Sequence, residues 1–85
     1  MIIKFDDFRR KVDRNLLEKI LLSNEFEQEI DEYNTFSKIV DGKKYSVDVR
    51  ESYIKFYINK KLIDTIQYET KPHEFWQHLE FLNFI

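Results

Sequence analysis

The sequence predicts a single α+β domain over residues 1–85: an N-terminal helix, a four-stranded antiparallel meander, and a C-terminal helix packed on one face of the sheet. Three observations carry that expectation. Apolar residues recur with a helical period near both ends, they alternate with period two between Phe36 and Tyr68, and turn residues punctuate that middle stretch at short intervals.

The first helix is expected over residues 6–23. Phe5, Phe8, Val12, Leu16 and Ile20 recur at spacings of three and four, and Leu17 and Leu21 widen the stripe. Asp6 serves as N-cap, Asn24 as stop, and Asp7 with Lys11 as a favourable pair one turn apart. Arg9, Arg10, Lys11 and Arg14 are balanced by Asp6, Asp7, Asp13 and Glu18. That balance favours a solvated mixed-charge face over a phosphate-binding one.

The segment Glu25 to Glu32 is the one shift in composition, with Glu25, Glu27, Glu29, Asp31 and Glu32 and no base among them. Phe26, Ile30 and Tyr33 lie at helical spacing, which favours a second short helix or a kinked continuation of the first. The alternation of acids also fits an edge strand. A calcium loop is not expected, because no Asp-x-Asp-x-Asp-Gly spacing is present to wrap the ion.

Asn34 to Val40 and Lys44 to Arg50 read as a hairpin around Asp41-Gly42, the pair suited to the two positive φ angles of a type I′ turn. A two-residue loop puts Phe36 and Val40 on the same face as Tyr45, Val47 and Val49; a three-residue loop would place Thr35, Ser37 and Ile39 there instead. The first buries more carbon. Tyr53 to Ile58 alternates again, with Ile54, Phe56 and Ile58 on one face and Tyr53, Lys55 and Tyr57 on the other. After a turn at Asn59-Lys60, Leu62, Ile66 and Tyr68 form the apolar face of the fourth strand, interrupted by Asp64. The last helix opens at Lys71-Pro72 with Thr70 as cap, and Phe75, Leu79 and Leu82, with Trp76 beside them, face the sheet. Phe81, Phe84 and Ile85 are expected to point elsewhere.

Composition narrows the function. With no cysteine there is no disulfide, thiolate nucleophile or cysteine-ligated metal. His73 and His78 stand five residues apart, turned about 140° from one another on a helix, so the pair does not make a zinc-binding face. The serines lack a glycine-flanked elbow, and the single glycine is too few for a phosphate-cradling loop. No catalytic residue, cofactor or metal is therefore expected. No apolar run is long enough for a secretion signal or a membrane span, which leaves a cytoplasmic location as the expectation. A net charge of −2 is too small to imply a polyanionic partner.

What remains is a small non-enzymatic protein-binding module: an inhibitor or adaptor that occupies a surface of a larger cytosolic host or cognate protein, of the size that phages and plasmids carry against host defence systems. Its candidate contact residues are the acids Glu25, Glu27, Glu29, Asp31 and Glu32 and the aromatics Tyr53, Tyr57, Phe81 and Phe84. A homodimer through the last helix or an edge strand is a second kind of partnership. The alternative is a weak nucleic-acid-binding domain that uses Lys43, Lys44, Lys60 and Lys61 at the hairpin turns together with Lys55. Lysines at turns and edges also keep sheets soluble and unpaired, and that ordinary explanation is preferred.

Overall fold

The computed structural model describes residues 15–67 and 70–85. The start of the first helix at Asp6, its basic residues Arg9, Arg10, Lys11 and Arg14, and the strand residue Tyr68 lie outside the described residues. Helix α1 is described over residues 15–23. Strands β1 (Glu27–Gln28), β2 (Thr35–Val40), β3 (Lys43–Val49), β4 (Tyr53–Ile58) and β5 (Lys61–Gln67) follow, and helix α2 (Pro72–Phe81) closes the chain. The strands form one antiparallel sheet in sequence order, β1-β2-β3-β4-β5. The expected meander is there, with a fifth, two-residue strand at its edge.

That edge strand corrects the helical reading of Glu25 to Glu32. A helix there would place Glu25 over Glu29, Glu27 over Asp31 and Glu29 over Glu32, all like-charged neighbours one turn apart. It would also have to pass Glu25, which sits in the left-handed region at φ 71°. The Glu25 N–H donates to the Leu22 carbonyl at 3.3 Å and the Phe26 N–H to the Leu21 carbonyl at 3.1 Å. These two bonds form a Schellman closure, which stops α1 at Asn24, as expected, with Glu25 as the left-handed residue after it. Phe26 turns inward and is buried, whereas Ile30 is 98% exposed. The apolar spacing of Phe26, Ile30 and Tyr33 therefore defines no buried face.

Helix α2 ends in the same way. Asn83, at φ 64°, donates to the Glu80 carbonyl at 3.0 Å, and the Phe84 N–H donates to the Leu79 carbonyl at 2.8 Å. Phe26 and Phe84 occupy the same position after their respective helices, and their rings stack at 6.4 Å with 11° between planes. Phe84 also meets Tyr45 and Phe56 edge-on, at 5.1 and 5.7 Å. The expectation that Phe84 points away from the core is thus corrected, since its backbone closure carries the ring back over the sheet. At the other end of α2, Lys71 rather than Thr70 is the N-cap residue, and the Thr70 hydroxyl donates to the Gln67 carbonyl.

Both helices cover one sheet face. Leu17 and Leu21 of α1 and Phe75 and Leu79 of α2 join Phe26, Phe36, Val47, Val49, Ile54, Phe56 and Phe84 in a single buried cluster. The pairing of Phe36 with Val47 and of Val40 with Lys43 shows the two-residue loop at Asp41-Gly42, with φ of 51° and 81° as a type I′ turn requires. Asn59 and Lys60 form the second such turn, at 51° and 67°. In β5 the pairing steps from Phe56 with Asp64 to Tyr57 with Leu62, leaving Ile63 as an extra residue. This bulge moves Leu62 to the outer face beside Tyr57 and turns Asp64 toward α2. There Asp64 Oδ2 lies 2.7 Å from His78 Nε2.

Glu25 holds a conformation that costs an L-residue about 1–2 kcal/mol and glycine almost nothing. Glu25→Gly is accordingly expected to raise stability by about 0.5–1 kcal/mol, read as a higher urea midpoint at unchanged slope.

Candidate functional site

The acidic segment and the outer sheet face make one continuous surface. Three bonds hold the loop between β1 and β2: the Glu29 N–H donates to the Thr35 carbonyl and the Thr35 N–H to the Glu32 carbonyl, both at 2.8 Å, and Gln28 Nε2 donates to the Tyr33 carbonyl at 2.6 Å. The loop thus presents Ile30, almost fully exposed, and Tyr33, two thirds exposed, between Glu29 and Asn34. Reading the segment as a helix hid both residues. The signal for them was the polar run Asp31 to Asn34, which is turn chemistry directly before a strand.

The five expected acids divide into two groups. Glu25, Glu27 and Asp31 are exposed. Glu29 is tied to the sheet, accepting from Ser37 Oγ at 3.0 Å and meeting Lys44 Nζ at 2.8 Å. Its carboxyl is held below the ordinary value, chiefly by the Lys44 hydrogen bond and against the opposing effect of burial. Glu32 faces Arg50 Nη2 at 3.5 Å. Arg50 Nε in turn donates to both oxygens of Asp48, at 2.9 and 3.1 Å, and this bond raises the guanidinium's affinity for its proton. Asp48 and Ser46 are buried although they lie on the outer face. They stand on the central strand β3, between Thr35 and Lys55 and between Ser37 and Tyr57 respectively.

Because the folded-state pKa of Glu29 is lowered, the stability it contributes is present in full above the ordinary carboxylate value near 4.5. It is lost as pH falls through the lowered folded value. Glu29→Gln is expected to be less stable than the parent at neutral pH and to lose less on acidification, so that the two denaturation midpoints converge as pH falls through the lowered pKa of Glu29.

The remaining expected contact residues are scattered. Tyr53 and Tyr57 are half-buried on the outer face of β4, with Lys55 Nζ 4.8 Å from the centre of the Tyr53 ring. Phe81 is 78% exposed on α2, its ring 6.1 Å from His78, which meets Asp64 on β5, the edge strand opposite β1. Phe84 is buried and offers no surface. Lys43, Lys44, Lys60 and Lys61 do flank the two turns at one end of the sheet, where the Asn59 N–H donates to the Lys44 carbonyl. Lys44 is paired with Glu29, and Lys60 also adds to the field on that carboxylate. Lys55 lies apart, on the Tyr53 ring.

Among the described residues, no three His, Cys, Asp or Glu side chains gather as a metal ligand set, and no helix is long and apolar enough to cross a membrane. No family model matches the chain, and neither curated proteins nor solved structures show a significant match.

Proposed function

We propose that this chain is a small non-enzymatic binding module that occupies a surface of a larger cytoplasmic protein, as an inhibitor or adaptor. One observation supports the reading above the others: an isoleucine 98% exposed at the tip of a loop tied down by three hydrogen bonds and flanked by acids. An apolar side chain held out in a fixed place needs no reordering to enter a pocket, so little conformational entropy is lost on binding. Glu27, Asp31 and Glu32 around it favour a pocket with a basic rim, and they disfavour self-association through the same loop. Tyr57 on the adjoining outer face extends the contact, and Phe81 on α2 belongs to a separate surface.

The test is an affinity capture with the tagged chain, from lysate of the cell that encodes it, with and without nuclease. Binding competent for this role retains one stoichiometric protein after nuclease, and excess untagged parent displaces it while untagged Ile30→Asp does not. Recovery of nucleic acid, with protein bands that vanish on nuclease treatment, would instead favour the lysine-bearing turns.

A further inference from the structure

Strand β2 has six residues and β1 only two, so the far half of β2 has an open edge on that side among the described residues. Ladder parity identifies the groups on it. The Val49 N–H donates to the Asn34 carbonyl at 2.8 Å. By steps of two, Phe36 with Val47, Lys38 with Tyr45 and Val40 with Lys43 are therefore the pairs bonded across to β3. Thr35, Ser37 and Ile39 turn their backbone groups the other way. The Thr35 carbonyl is taken by Glu29, and Ser37 faces Glu27. Ile39 has no such neighbour among the described residues. Continuing the register would set Glu25 opposite it, but Glu25 is the left-handed residue that closes α1, and the chain leaves the ladder there.

The place left open is a groove of about 390 Å³ along the strand edge, walled by Glu25 and Glu27 and by both faces of β2 from Ser37 to Val40. We propose that it receives an extended segment of the partner protein, added to β2 in the line of β1. This rests on the protein-binding reading above and states how the partner is held. One residue of the segment exchanges two backbone hydrogen bonds with Ile39. Its side chain falls beside that of Ile39, which is 71% exposed, and an apolar β-branched residue suits that position. The groove's cations are already engaged. Lys38 Nζ donates to the Asn24 carbonyl at 3.3 Å and lies 4.7 Å from the centre of the Phe26 ring, and Lys44 is paired with Glu29. The charge of Lys38 also faces Glu25, which leaves Glu27 to select a segment with Lys or Arg next to the apolar residue.

The probe is a capped seven-residue peptide of alternating lysine and valine, titrated into the full isotope-labelled chain, with the same peptide N-methylated at its central valine as control. Binding is expected to shift the amides of residues 37–40, to slow hydrogen exchange at Ile39 by about tenfold or more, and to be lost with the N-methylated peptide. Ile39→Pro, which removes the outward N–H, is expected to abolish binding with its melting transition retained. Shifts confined to other surfaces, equal binding of both peptides, or no binding at millimolar peptide would overturn the proposal; if Ile39→Pro fails to fold, the peptide control decides alone. Lysate capture that succeeds equally with Ile39→Pro would overturn strand addition and leave the protein-binding role standing.

Discussion

Phe84→Ala is expected to destabilise the domain by about 3–5 kcal/mol, the usual cost of deleting a fully buried phenylalanine. Its ring touches three others, stacked on Phe26 and edge-on to Tyr45 and Phe56, and so joins the ends of both helices to the middle of the sheet. A domain this small has about 5–10 kcal/mol in all, so the variant is expected to be partly unfolded at 37 °C. Urea denaturation followed by circular dichroism measures the loss. Phe81→Ala, three residues earlier on an exposed side of α2, is expected to change stability by no more than about 0.5 kcal/mol. Equal effects at the two positions would contradict the placement of the Phe84 ring.

Reversing charge around the loop is expected to affect binding nearly as strongly as Phe84→Ala affects folding. In the combined variant Glu27→Lys and Asp31→Lys, both substituted positions are exposed and neither carboxylate holds the sheet together. Facing a basic rim, the two reversals set like charges against each other, at a cost of several kcal/mol. Capture of the partner should fall by about a hundredfold, since each 1.4 kcal/mol is a factor of ten. The urea midpoint should move little, because exposed charges contribute little to stability. Glu29→Lys is a poor substitute, since it would break the contacts with Lys44 and Ser37 and confuse folding with binding. Undiminished capture by the combined variant would exclude the acidic loop and direct attention to Phe81 and the outer tyrosines.

Much of the fold was legible in local chemistry, and the candidate site much less so. Asp41-Gly42 encodes its turn in two residues, and the alternation of Tyr45, Val47 and Val49 names the buried side of β3 whatever lies across from it. Residues 25–34 resisted reading because two periods overlap there, helical for Phe26, Ile30 and Tyr33 and twofold for the acids. Nothing within the segment ranks them. Lys44 and Ser37, which draw Glu29 into the sheet, lie outside it in sequence.

The sequence by itself determined the class of fold, the order of the four meander strands β2 to β5 and the two-residue hairpin at Asp41-Gly42, because hydrophobic period and turn chemistry act over a few neighbouring residues. Tertiary structure decided where Phe26 and Phe84 go, whether Asp64 faces solvent or His78, and that Ile30 stands outside the core. Each of those outcomes depends on a group distant along the chain, or on a backbone closure at a helix end that side-chain periodicity does not record.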